Sequence, residues 1–337
     1  MSEYVFRSDF APYMESLIEL KRKMNISVRK YEQALKGIDI FFFSEAVNVP
    51  SLNRDIVMKW REECIFNKEI TKYVKYGVLV QLCKHINNLG VPCYIPKMPK
   101  AGFDSYVPYI FSTEEIQRIF IAADGMVLAA NNLKQKVFPI PAILRILYAT
   151  GARVSEITSL CCKDVDLQKG IIVLNKTKNN QQRMLPLNSS VIGVLSQYKA
   201  YRSRVPAIKS GDKEDSPFFI SPLGTGLDKK AVYNWFRMVL ERAGIEHKGR
   251  MYGPRLHDLR HTFAVHTLEK QLSAGHDIYT VLPVLSTYLG HKSIFSTEKY
   301  VRLTEENYPK VMSAIGTTDQ IFENLANNFN GNDYEEE

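Results

Sequence analysis

Leu289-Gly290-His291-Lys292-Ser293-Ile294-Phe295-Ser296-Thr297-Glu298-Lys299-Tyr300 sets a phenol nine residues beyond a histidine, directly after an apolar helical run that ends in glycine. One tyrosine among 18 is ordinarily a core residue with a satisfied hydroxyl. Three stretches upstream change that reading. Ala149-Thr150-Gly151-Ala152-Arg153-Val154-Ser155-Glu156 carries an arginine, Lys178-Asn179-Asn180-Gln181-Gln182-Arg183-Met184-Leu185-Pro186-Leu187 opens on a lysine, and His257-Asp258-Leu259-Arg260-His261 sets a second arginine among histidines. Two arginines and two histidines can hold a phosphate, a lysine can protonate a leaving oxygen, and a phenol can attack phosphorus, so the set requires no metal. A lone Leu-Gly-His or His-x-x-Arg recurs by chance; order and spacing carry the signal.

In that order, the segment from roughly Phe111 to Leu303 resembles the tyrosine recombinases, the family of phage and transposon integrases. The resemblance implies a site-specific DNA recombinase that cuts and rejoins strands through a covalent 3′-phosphotyrosine intermediate, serving a mobile genetic element and needing no cofactor. Tyr300 matches the nucleophile. Arg153 and Arg260 match the pair that clamps the non-bridging oxygens of the scissile phosphate, a role suited to the fixed, permanently charged guanidinium fork. His257 and His291 match positions that donate to the phosphate or help move the tyrosine proton. Lys178 matches the hairpin lysine that protonates the leaving 5′ oxygen. Its turn departs from the usual glycine-rich sequence by carrying Asn179 and Asn180, so Lys176 stands in reserve. Glu156 matches an acidic residue that orients its neighbours, and His261 fits a supporting role behind the reacting groups.

The expected fold is mainly α with a small β-sheet (α+β). Residues 1–100 form a helical core-binding, SAM-like domain, 101–316 the catalytic domain, and 317–337 a tail able to pack in trans. Periodicity supports this division. Apolar positions at three- and four-residue spacing predict helices over Phe10–Met24, Val28–Phe43, Ile56–Phe66 and Ile70–Leu89, with Ser51 or Asn53 capping the third. Ile95-Pro96-Lys97-Met98-Pro99-Lys100-Ala101-Gly102 reads as a linker, and the second domain begins near Tyr106. There Ser112 or Thr113 caps a new helix whose first turn holds Glu114 and Glu115. Helices follow at Ile140–Tyr148 and Val154–Leu160, then two strands, Gly170–Leu174 and Met184–Leu187, flank a polar turn bearing Lys178. Further helices span Ser189–Arg202, Lys229–Ala243, Leu256–Gln271 and Val281–Leu289. Ser273–Tyr279 reads as a small insertion, and the acidic run Asp333–Glu337 as a disordered end.

With 337 residues, 45% hydrophobic and 24% charged, the chain suits two soluble domains. No apolar run is long enough to span a membrane and no secretory leader is evident, so a cytoplasmic protein is expected. The five cysteines form no C-x-x-C pair and are read as small apolar side chains. Residues 304–337 hold one of the 44 basic and eight of the 36 acidic residues, leaving the first 303 with 43 against 28 and a net charge of +15. Such an excess favours a polyanion. The partners implied by the resemblance are double-stranded DNA at specific sites and a homotetramer spanning two of them, with accessory DNA-bending or co-recombinase proteins.

Three other readings compete. Histidines spaced i, i+4 can bind zinc, but His257 and His261 lack the glutamate of H-E-x-x-H, which disfavours a metal-dependent nuclease. A type IB topoisomerase shares the phosphotyrosine chemistry but relaxes DNA alone. A silent DNA-binding regulator would not need every catalytic position filled, and here each is.

Overall fold

The computed structural model describes residues 4–63, 69–100, 107–126, 137–175, 182–205, 213–247 and 253–291, with Thr297 and Tyr300. Lys176, Lys178 and the tail beyond Tyr300 lie outside the described residues. The chain divides into two compact units, Met1–Ser105 and Tyr106–Glu337.

In the first unit, the expected periodicity becomes α1 (Ala11–Lys23), α2 (Arg29–Ser44), α3 (Arg54–Glu63) and α4 (Glu69–Asn88). α1, α2 and α4 pack together over Phe10, Met14, Leu35, Ile38, Phe42 and Leu82. Asn53 is the residue that caps α3, its Oδ1 accepting the Ile56 N–H at 3.1 Å; Ser51 is tied instead to Asn48 in a short 3-10 turn. Buried Asp39 accepts from Tyr4, from the Arg7 and Ser8 amides and from the Ser8 hydroxyl, which compensates the loss of water and ties the chain start to α2.

The second unit is built on α6 (Ile140–Thr150), a helix apolar enough to be buried at Ile140, Ala142, Ile143, Leu144, Ile146 and Leu147. Around it pack α5 (Thr113–Asp124), α7 (Val154–Thr158), α8 (Ser189–Arg202), α9 (Lys229–Arg242) and α10 (Asp258–Ser273). α11 (Ile278–Leu289) lies on α10. Ser112 caps α5 in a reciprocal box with Glu115. The hairpin gains a third strand: β1 (Val165–Asp166), β2 (Ile171–Leu174) and β3 (Arg183–Pro186) form an antiparallel sheet in sequence order. Two residues are too few to show alternation, so β1 left no periodic trace. The architecture is mostly helical with this one small sheet.

Two boundaries differ from expectation and bear on the site. α10 starts at Asp258, so His257 stands at its N-cap and not within the helix. α11 starts at Ile278, three residues before the expected start and with Asp277 at its N-cap, and the expected insertion is the end of α10, a turn and the first turn of α11.

α6 ends at Gly151, whose φ of 59° is left-handed, and a Cβ there would overlap the Phe263 ring and approach Leu289 Cδ2 at 2.9 Å. Gly151→Ala should therefore lose about 2 kcal/mol from backbone strain and crowding together. For a unit of this size that is a drop in melting temperature of roughly 4–8 °C by calorimetry, and an unchanged transition would contradict the packing described.

Candidate active site

Two left-handed glycines frame the site. Gly151 closes α6, and Gly290, with φ of 66°, closes α11 in a turn where the His291 N–H reaches back to the Ser286 carbonyl at 3.0 Å. Each turn leaves helix-end carbonyls pointing outward without an intrahelical donor. Arg260, on the first turn of α10, answers both: Nη1 donates to the Gly151 carbonyl at 2.8 Å and Nη2 to the Leu289 carbonyl at 2.7 Å. Burial lowers its pKa to about 10, with Arg153 adding repulsion, so the guanidinium still carries full charge near neutrality. Of its five N–H donors, two serve these carbonyls, and the same group also hydrogen-bonds the Tyr300 side chain.

Arg153 opens α7. Its backbone N–H and its Nη1 both donate to Glu156, at 2.8 Å each, while Nη2 comes within 3.5 Å of the Gly290 carbonyl. Glu156 is 2% exposed, and its second oxygen also accepts from Arg183 Nη2 at 2.6 Å. Three guanidiniums thus gather around one carboxylate, an arrangement that leaves two net positive charges for a ligand. The surplus suits a phosphodiester whose charge grows as it is attacked.

Tyr300 brings the phenol into this cluster. It is 3% exposed, packed on Ala264, Val265, Leu285 and Leu289, and its hydroxyl lies 3.1 Å from His261 Nδ1. Burial raises its pKa, while Arg260 and Arg153 pull the other way, so the phenol holds its proton at rest. The His291 ring stacks on Tyr300 with centroids 6.1 Å apart, and its Nδ1 lies 2.7 Å from the Thr297 hydroxyl. The His257 ring meets His261 edge-on at 4.9 Å, and His257 is itself exposed at the mouth of the cluster.

Five of the six reacting positions expected from sequence, Arg153, His257, Arg260, His291 and Tyr300, therefore converge, together with Glu156 and His261. The sixth, Lys178, and its reserve Lys176 fall outside the described residues, in the connection that leaves β2 at Leu174 and returns at Arg183. His261, expected in a supporting role, touches the Tyr300 hydroxyl directly. Arg183 and Thr297 were not singled out, and the only trace of Arg183 was a charge at the start of an apolar strand.

The phage integrase family profile matches residues 110–307. The chain belongs to the phage integrase family. It is a tyrosine-type site-specific recombinase, similar over 90% of its length to a putative integrase/recombinase of Sinorhizobium fredii, at 27% identity and 96% coverage of that protein. The tyrosine recombinase XerC of Bacillus pumilus is 27% identical over 88% of this chain and 87% of its own. Among solved structures, the XerH recombinase in a post-cleavage complex with palindromic difH substrate shares the fold, with a TM-score of 0.64 and 19% identity over 89% of this chain and 83% of that one.

The electrostatics of the recombinase site give it a pH signature. Burial first, then the surrounding cationic groups, lowers the pKa of His261 to about 3 and of His291 to about 4, from 6.5. The unfolded chain thus binds more protons than the folded one below 6.5, and stability is lost as pH falls from about 6.5 towards 4. Melting temperatures measured across that window should fall for the wild type and fall less for His261→Gln; identical profiles would mean His261 is not held neutral.

Proposed function

We propose that this recombinase cuts and rejoins duplex DNA through a 3′-phosphotyrosine on Tyr300, within a tetramer on two sites, on behalf of a mobile genetic element. The observation that carries the chemistry is the placing of a buried phenol beside a neutral imidazole, within a cluster of guanidiniums carrying two surplus positive charges. Arg153 and Arg260 grip the non-bridging oxygens and gain most in the pentavalent transition state. As the Tyr300 oxygen bonds to phosphorus, its proton passes to His261 Nδ1, whose basicity rises once the anionic phosphate enters the cationic cluster that depresses it; His257 and His291 complete the donor set. Lys178 supplies a proton to the departing 5′ oxygen as the P–O bond breaks. Rejoining runs the same transfers backwards when a partner strand's 5′ hydroxyl attacks, so no external energy source is needed.

The basic balance of the first 303 residues supports DNA as the partner. The mobile-element reading draws on the similarity to the Sinorhizobium fredii integrase/recombinase. Inverted repeats or recombinase genes flanking the coding region would support it, and a lone gene beside a chromosomal dimer-resolution site would not. Tyr300→Phe should bind its DNA site and form no covalent adduct with a suicide substrate, since only the nucleophilic oxygen is gone. An adduct surviving in that variant would remove Tyr300 from the role.

Assembly draws on the acidic tail, in whose sequence Ile321, Phe322 and Leu325 have the spacing of an apolar helix face. An apolar cavity of about 460 Å³ between α10 and α11, lined by Phe263, Val281, Val284, Leu285 and Tyr288, is its receptive surface on a neighbouring protomer in this reading. Val284, 66% exposed at that cavity, offers a clean test. Val284→Asp should still bind one site and cleave a suicide substrate, yet fail to bring two sites together in a gel-shift assay. Full-rate two-site recombination by the variant would rule the cavity out.

A further inference from the structure

Arg183 ties three separate pieces of the site together. It is the first residue of β3 and pairs with Leu174, so these two residues close the base of the connection that carries Lys178. Its side chain is only 12% exposed. Nη2 donates to Glu156 Oε2 at 2.6 Å, and Nη1 donates to the Leu289 carbonyl, the same oxygen that Arg260 uses. The approach to α11 is so close that a Cβ on Gly290 would overlap Arg183 Nη1. One planar group therefore spans the strand leading from the lysine loop, the carboxylate that orients Arg153, and the turn that precedes His291.

A purely structural residue would be an odd choice here. Arg183 gives up hydration, which lowers its pKa despite the attraction of Glu156, and its Nε is buried with no hydrogen-bond partner among the described residues. Both features cost stability. An apolar side chain would fill the space without that cost, but it could not hold two acceptors in fixed directions as the guanidinium fork does.

We propose that Arg183 is a positioning residue of the cleavage reaction, locking the base of the Lys178 loop in register with the phosphate clamp. The proposal rests on the reading of Lys178 as general acid. The geometry also specifies what its loss leaves intact. Without Arg183, the Arg153 amide and Nη1 keep Glu156, and Arg260 keeps the Gly151 and Leu289 carbonyls. What is lost is the side-chain link from the start of β3 to Glu156 and the Leu289 carbonyl, together with one of the two surplus charges of the site. The lost charge slows every substrate, so a displaced general acid shows as an additional loss confined to the substrate whose leaving oxygen needs a proton.

The test compares single-turnover cleavage of two suicide substrates, one with the ordinary bridging 5′ oxygen and one with sulfur there, which departs without needing a proton. Lys178→Ala serves as the reference variant. Arg183→Ala should slow the oxygen substrate by about 100-fold more than the sulfur substrate, the loss expected from roughly 1 Å of misplacement of the general acid. Arg183→Lys, which keeps charge and stem but not the fork, should be intermediate and restores the comparison if the alanine variant aggregates. Equal loss on both substrates, or wild-type rates in a folded Arg183→Ala protein, would overturn the proposal. If Lys178→Ala is not rescued by sulfur, the general-acid assignment falls and this proposal with it; if Lys178→Ala is rescued and the Arg183 variants are not, Arg183 alone is excluded.

Discussion

The second unit depends on one buried cation. Arg260 sits where two helices end, and it donates to the last carbonyls of both α6 and α11. Helix C-termini carry partial negative charge and unpaired acceptors, so a guanidinium there recovers part of the hydration it gave up. The bargain holds only because both helices turn off through left-handed glycines, which bring the two carbonyls within reach of a single side chain. Remove either turn and the arginine becomes a buried charge with too few acceptors.

The same geometry explains why the site is strongly positive without being unstable. Glu156 draws in Arg153 and Arg183 from opposite sides, and its burial makes those interactions less screened than they would be at the surface. Two surplus charges remain, which are costly for the empty site and favourable once an anion enters it. Stability is thereby spent on affinity for a phosphate, and the lowered pKa values of His261 and His291 have the same origin. An anion in the site offsets the cationic part of that depression and restores some of the rings' basicity.

Much of this was legible in the sequence because the reacting groups are tied to elements with strong local signals. Gly151 and Gly290 follow long apolar runs, and the capping box at Ser112 and Glu115 marked where the second unit begins. The helical periods of α1, α2 and α9 matched their observed spans closely, since each has one clear apolar face, and the end of α6 was marked by Gly151. β1 and the true start of α11 were not legible, one being two residues long and the other opening on residues 278–280, none of which is buried and which add nothing to the apolar period.

The sequence by itself determined the types and the order of the reacting residues, and the helical frame that carries them, because those follow from local periodicity and chain punctuation. It also determined the uneven charge that favours a polyanion. Tertiary structure alone decided which neighbours each group would have. That His261 faces the Tyr300 hydroxyl at a separation of 39 positions, and that Arg183 reaches Glu156 and Leu289 from β3, depends on how α7, β3, α10 and α11 meet around α6. Such contacts join residues far apart in the chain, and no local period records them; the directions of buried side chains are fixed only when the helices that bear them have packed.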